Sequence, residues 1–584
     1  MIQRQLLKLL RGSTGSSIAL LTRQSKRGIL GPCCYGINLT HRISRNLSVS
    51  HCIYRQTISS DHILTSNFPD IDIPKDVTFH EFVFNRCDKY GDKVALEEFA
   101  TGKTIKYSQL RETCLKVASG LHRLGLRKGD VLLTFSTNNI DFTVLMLACS
   151  CIGVWFSPAN PTFTPEELRV QFQQNGAVAV FAAAPLASTV TQALEGGQFS
   201  HVAHKFVFGE APGFESFQKL LEDDGSALPE VTFDPMDDVL VLPYSSGTTG
   251  LPKGVMLTHN NCVANILQLE QSLPVAATDV ALGLLPLYHI YGMVVVQFSV
   301  LTSGGQVVYL PKFEPEQFLK CIQEKKVTLA HLVPPLVVFL AKHPMVSDYD
   351  ITSVKRVVSG AAPLGADISS TFLERHKQVE FLGQGFGLTE TSPVTNVDTS
   401  MTLGSVGYMI PNTEGKIVDL ETQKVLGQRE DGEFCVRGPQ VMKGYFNNQK
   451  ATDDMVKPDG WLFTGDIGYY DEKGRVYIHD RLKELIKYKG SQVAPAELEA
   501  LLLGHSEVAD VAVIGKPDEN AGELPTAFVV RKKGSEVTEQ DIVQFVQERV
   551  APSKRLRGGV QFIDEVPKNP SGKILRRIIM ANYL

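Results

Sequence analysis

No aspartate or glutamate occurs before Asp61, and no basic stripe follows in the body of the chain. The ten cysteines form no Cys-x-x-Cys pair and no cluster with histidine. That argues against a zinc site and against a disulfide framework, and the thiols read as reduced and mostly buried. No apolar run reaches the roughly 20 residues that cross a bilayer. The run 142–156 is too short and contains Ser150 and Gly153, so it reads as a buried helix. The run 281–301 carries Pro286, His289 and Gln297, which suit a core better than lipid. A net charge of −5 at pH 7 argues against a nucleic-acid binder. The C-terminal "ANYL" is not a peroxisomal address.

What the first sixty residues do contain is positive charge, from Arg4, Lys8, Arg11, Arg23, Lys26, Arg27, Arg42, Arg45 and Arg55. Arg4, Lys8 and Arg11 share one helical face, with leucines at 6, 7, 9 and 10 around them. An Arg-rich, Ser-rich, acid-free amphipathic N-terminus is the composition of a mitochondrial presequence. We expect it to span 1–47 with cleavage after Leu47; a basic tail is the alternative. Removing its eight bases would take the net charge from −5 to −13.

The remaining length exceeds one core, so two or three domains are expected. Largely apolar runs at 131–136, 177–183, 205–208, 238–245, 306–311 and 354–358 alternate with windows long enough for crossover helices. Such runs suit strands buried on both faces, and the fold class expected is α/β with doubly wound topology. From Gly404 the texture changes to short strands and glycine turns, a β-rich subdomain. After residue 491 a helix opened by Pro495, two strands and a Thr538-x-x-Asp541 capping box suggest a small α+β domain.

The stretch 242–259, "LPYSSGTTGLPKGVMLTH", runs from a buried strand into a turn rich in glycine, serine and threonine, with Lys253 beyond it. Backbone N–H groups, hydroxyls and one mobile cation around little side-chain bulk are suited to phosphate. The Walker spacing G-x-x-x-x-G-K-[ST] is absent. So is the third glycine that would make "GQGFG" (383–387) a dinucleotide fingerprint.

This loop resembles the phosphate loop of the adenylate-forming superfamily, which includes acyl-CoA synthetases, 4-coumarate–CoA ligases, beetle luciferases and peptide-synthetase adenylation domains. Five further segments match in order: "SGAAPLG" (359–365), "GQGFGLTE" (383–390), "GWLFTGDIG" (460–468), "DRLKELIKYKGSQVAPAELE" (480–499) and "PKNPSGKILRR" (567–577). The first and fourth point towards the 4-coumarate–CoA ligase and luciferase-like branch. The resemblance covers about 78–577. It implies a large N-terminal adenylating domain (61–479), a hinge (480–483) and a small mobile C-terminal domain (484–584).

The implied chemistry has two steps: a carboxylate attacks the α-phosphate of ATP, then the thiol of CoA attacks the acyl-adenylate and releases AMP. By the resemblance, Ser245, Ser246, Gly247, Thr248, Thr249 and Lys253 would wrap the β/γ-phosphates. Glu390 would contact Mg²⁺ with Thr389 beside the phosphates, and one carboxylate suffices where phosphate oxygens complete the shell. Asp466 would accept from the ribose hydroxyls, aided by Arg481, while Ala361, Gln384 and Gly385 would line the adenine and acyl-AMP site. Lys573 would bridge the α-phosphate and the attacking carboxylate. Rotation about the hinge, which includes Lys483, would exchange Lys573 for Lys487, Lys489 and Gln492, with pantetheine passing Gly490. His289 would gate the acid pocket, bordered by Tyr288, Gly292 and Val397. Such a pocket suits an aromatic or a medium-chain acid. Alternatives are a luciferase-like adenylate oxidase, a carrier-protein loader, and a nucleotide-binding scaffold without activity.

Overall fold

The apolar run "VLLTF" forms the strand Val131–Phe135, buried at all five positions. Strands buried on both faces require neighbours on each side. Leu132 lies opposite Phe156 on one side and Ala179 on the other, both in parallel register. The sheet continues in parallel to His204–Phe208 and to Val239–Val241, making nine strands with its antiparallel edge. The protein is described here from a computed structural model covering residues 58–245, 252–489, 491–518, 520–550, 552–568 and 572–584. The presequence assignment, 1–47, therefore lies outside the described residues.

A second nine-stranded sheet has a parallel centre built from Val94–Glu98, Gln306–Tyr309, Val280–Gly283, Leu329–Leu332, Arg356–Ser359 and Phe381–Gly387. The two sheets share one core, which contains Leu132, Phe156 and Phe181 of the first and Val307, Leu329 and Val358 of the second. The helix Ile140–Ile152 belongs to that core, buried at every position except Asp141, as a helix apolar all round should be. Phe142 is fully buried and meets Phe156 edge-on at 5.0 Å. Truncating such a ring to alanine costs about 3–5 kcal/mol.

The run 142–156 is not one helix. Gly153 takes φ 71° and stops it, and Trp155–Ala159 continues as a parallel strand. Only glycine reaches that conformation without a steric penalty, so the turn cuts the apolar run in two. The run 281–301 likewise divides into a strand and the π-helical stretch Tyr291–Ser299. Among the described residues no helix is long and apolar enough to cross a membrane.

Beyond Gly404 the β-rich texture resolves into a four-stranded antiparallel sheet of Glu414–Val418, Gly432–Arg437, Leu462–Tyr470 and Val476–Arg481. The last sheet contains Ile486–Tyr488, Ser491–Val493, Val508–Asp518, Gly522–Arg531 and Val560–Phe562. It carries the helices Pro495–Leu503 and Glu539–Gln547 over its own apolar core of Val511, Val513, Leu498 and Ile542. The chain thus has a large α/β part, a β-rich sheet and a small α+β module.

Candidate active site

Tyr244–Ser245 pairs antiparallel with Lys253–Thr258, placing Ser245 directly opposite Lys253. The two described ends of the glycine-rich loop are thereby neighbours; Ser246, Gly247, Thr248 and Thr249 lie outside the described residues. Ser245 Oγ donates to Glu390 Oε1 at 2.9 Å. Glu390 sits in the single turn Thr389–Thr391, buried, with Thr389 half-buried beside it. Tyr445 OH donates to the same Glu390 oxygen at 2.8 Å, and Lys253 Nζ lies 4.9 Å from the Tyr445 ring centroid. Tyr445 reaches this point because Gly444–Tyr445 pairs with the strand after the loop, Val255 opposite Tyr445. Its place was not legible from sequence, since "GYF" carries no spacing that ties it to a loop nearly two hundred residues away.

Antiparallel register does the same for the carboxylate expected to face the ribose. Asp466 and Arg481 face each other across neighbouring strands, and Arg481 Nε meets Asp466 Oδ1 at 3.2 Å. Asp466 is 3% exposed, and its Oδ2 has no hydrogen-bond partner. A buried carboxylate oxygen left without a donor is costly unless a ligand supplies one. Burial raises the Asp466 carboxyl to about 6, against the pull of Arg481 and Lys573. Lys573, half-buried, is lowered to about 8 by burial and then by Arg481, while Glu484 and Asp466 oppose the shift. Lys573 also acts on His289, whose imidazole is lowered to about 4, first by burial and then by that charge. At neutral pH His289 is uncharged and Lys573 is mainly a cation. Lys573, from the far end of the chain, thus lies within electrostatic reach of Asp466, Arg481 and His289.

The residues expected at the adenine include strained backbone. Ala361 adopts φ 69°, a conformation that costs a non-glycine residue of order 1 kcal/mol or more and marks functional turns. A Cβ on Gly360 would come within 2.8 Å of the Tyr291 ring. Gln384, opposite Ser359 in parallel register, uses its amide internally: Oε1 accepts from Leu364 N at 2.7 Å and Nε2 donates to Ser405 O at 3.3 Å. Its side chain pins the 359–365 turn. Gly385 pairs with Val397.

On the acid side, Tyr288 and His289 are half-buried just before the π-helical stretch. His289 Nδ1 accepts from Tyr291 N at 3.2 Å. Gly292 has no room for a side chain, because a Cβ there would lie 2.3 Å from the Pro286 carbonyl. The turn itself takes up the missing side chain. Val397 is buried in a cluster with Leu269, Val295, Val394 and Ile410, bordered by Tyr291. Tyr291 OH and His331 Nδ1 are 3.1 Å apart, a pair that sequence reasoning missed.

Lys483, Lys487 and Lys489 are exposed. Lys487 sits on a hairpin opposite Gln492, and its N–H donates to Glu523 at 2.8 Å. Lys489 takes φ 46° and its N–H donates to Ala521 O at 2.8 Å. Gly490 lies outside the described residues, as does the Gln492 side chain. The structure gathers the groups assigned to the first chemical step and leaves the lysines assigned to the second on the module's exposed hairpin. Among the described residues no group of three His, Cys, Asp or Glu side chains could hold a metal unaided.

Comparison with known proteins agrees with this geometry. The AMP-binding enzyme family matches residues 83–446, and the AMP-binding enzyme C-terminal domain matches 497–573. The chain is 40% identical to 4-coumarate–CoA ligase 3 of Arabidopsis thaliana over 93% of this chain and 98% of that protein. It is 42% identical to 4-coumarate–CoA ligase 2 of Petroselinum crispum over 89% and 97%. Among solved structures, ATP-bound MatB of Rhodopseudomonas palustris superposes with a TM-score of 0.75 at 28% identity, covering 86% of this chain and 99% of that one. With the phosphate-loop hairpin, the buried Asp466–Arg481 pair and the distant lysine all in place, the chain belongs to the adenylate-forming acid–CoA ligase family of AMP-binding enzymes.

Proposed function

We propose that this chain converts an aromatic carboxylic acid, of the hydroxycinnamate kind, to its CoA thioester, with medium-chain acids as the alternative substrates. The names of its relatives support the aromatic choice. An apolar pocket by itself separates such shapes by only a few kcal/mol. In the first step a carboxylate oxygen attacks the α-phosphorus of ATP and pyrophosphate leaves. In the second the CoA sulfur attacks the acyl carbon, its proton is lost, and AMP leaves.

The observation that carries the reading is the buried Asp466–Arg481 pair with Lys573 in electrostatic reach of both. An anionic nucleophile approaching a triphosphate needs positive charge already in place along its path. Lys573 and Arg481 supply it, and the unpartnered Asp466 Oδ2 is an acceptor for a ribose hydroxyl. Ser245 and Lys253 flank the loop that would hold the β- and γ-phosphates. Bound Mg²⁺ would neutralise phosphate charge, with Glu390 as its protein carboxylate; Ser245 and Tyr445 hold that carboxylate in orientation. His289, kept neutral, borders the acid without adding a competing cation.

The test is protein beginning at Ser48, given ATP, Mg²⁺, CoA and a panel of cinnamic, benzoic and C4–C16 fatty acids, with AMP and acyl-CoA quantified together. Acyl-CoA from the aromatic acids is the expected result. Turnover confined to fatty acids would replace the substrate class, and AMP without acyl-CoA would move the acceptor to oxygen or a carrier protein. The reading of 1–47 as a mitochondrial presequence is a separate proposal, tested by whether a fluorescent fusion of that segment enters mitochondria.

A further inference from the structure

We propose that Arg576 is the positioning residue that holds Lys573 in the adenylation site, by clamping the downstream foot of its loop to Glu499 and Glu484. The inference rests on the reading of Lys573 given above. Lys573 lies between Lys568 and Ile574, which form an antiparallel bridge, and Leu575 N donates to Pro567 O at 2.8 Å. Both feet of this loop end in ion pairs. Upstream, Lys568 Nζ meets Asp510 at 2.6 Å. Downstream, Arg576 Nη2 meets Glu499 at 3.0 Å, while its buried Nε lies 3.4 Å from Glu484 without a hydrogen bond to it.

The downstream clamp is the better buried. The Arg576 side chain is 16% exposed and that of Glu499 10%, against 21% and 29% for Lys568 and Asp510. Glu499 is itself fixed, since its Oε1 accepts from Val513 N at 2.8 Å. Glu484 stands in the turn just after Arg481, close enough to act on both Lys573 and Asp466. One guanidinium thus ties the helix Pro495–Leu503, the turn after the nucleotide-facing arginine, and the loop of the reactive lysine. Asp480 completes the junction: its Oδ2 accepts from Ala496 N at 2.8 Å, and its charge lies near Arg576. Arg576 is paired with Glu499 and its charge also reaches Lys573, so its effect on the reaction runs through Lys573. A displacement of about 1 Å in a reacting group can cost on the order of a hundredfold.

The test uses the full chain and separates the half-reactions. Adenylation is read by ATP–pyrophosphate exchange, and thioester formation by turnover of synthetic acyl-adenylate with CoA. R576Q is expected to lower exchange about 10–100-fold while thioester formation stays near wild type, with R576K recovering part of the loss. Adding R576Q to K573A should cost nothing further, because residues acting as one unit are not additive. Should R576Q fail to fold, E499Q, which keeps shape and removes one charge, is expected to shift the same ratio in the same direction. An equal loss in both half-reactions, or exchange unchanged in R576Q, overturns the inference. If K573A itself leaves exchange intact, the reading of Lys573 has failed instead.

Discussion

The small C-terminal module presents lysines in two unlike settings. Lys573 is half-buried among Asp466, Arg481, Glu484 and His289. Lys487 is exposed on a two-stranded hairpin, its backbone bonded to Glu523 of the same module. The module touches the large α/β part, where Lys342 Nζ donates to Leu503 O at 3.1 Å, while its hairpin lysines are exposed. An acid–CoA ligase needs charge placed for phosphoryl displacement, and then a route for a thiol after pyrophosphate has gone. The arrangement in this structure suits the first. If Lys487 serves the second, the module must turn, as rigid units pivoting on a few residues do.

The comparison is broken most sharply by charge removal on each face. K573A is expected to reduce ATP–pyrophosphate exchange by about 10²–10³-fold, the typical cost of losing one group that stabilises transition-state charge. Thioester formation from supplied acyl-adenylate should be nearly unchanged. K487A should do the reverse, with a loss of about tenfold to a hundredfold confined to the thioester step, in line with one hydrogen bond to a charged group. If both variants impaired the same half-reaction, the two faces would have no separate duties.

Next in size is the pH dependence of adenylation. Asp466 must be ionised to accept from ribose and is raised to about 6; Lys573 must be protonated and is lowered to about 8. The kcat/KM for ATP in the free enzyme should therefore fall below pH 6 and above pH 8. In D466N the acid limb should disappear while KM for ATP rises by about tenfold or more. An acid limb that persists in D466N would assign it to another group.

How much of this could be read beforehand depends on what kind of signal each residue carries. The run 131–136 became the parallel strand Val131–Phe135 because continuous burial is written in its composition. The 142–156 run failed as a single helix because one glycine, with φ 71°, ended it where apolar content alone showed no break. Asp466, Arg481 and Lys573 were legible through local motifs. Tyr445, His331 and Arg576 were not assigned roles, since each acquires its partners through long-range pairing: Val255 opposite Tyr445, Tyr291 beside His331, Glu499 beside Arg576. Gln384 and Gly292, expected at the ligand by resemblance, also have internal partners that the sequence did not show. Gln384 holds a turn, and Gly292 clears a carbonyl.

The smallest expected effect tests whether the module's scaffold can be weakened without touching either face. Thr538 caps the helix Glu539–Gln547: its Oγ1 accepts from Asp541 N at 3.2 Å, and its own N–H donates to Asp541 Oδ2 at 2.9 Å. Ile542 and Val546 of that helix are fully buried in the module's core. T538A removes the cap and leaves the apolar face in place, so the module should lose about 1 kcal/mol. Because the loss is local, it should appear as faster amide exchange across 539–547, with little change in the large α/β part. The ratio of the two half-reaction rates should stay at its wild-type value, since Thr538 belongs to neither lysine face. A shifted ratio in T538A would mean that general loosening of the module selects between the steps. The contrast between Lys573 and Lys487 would then reflect module stability more than the separate placement of two charges.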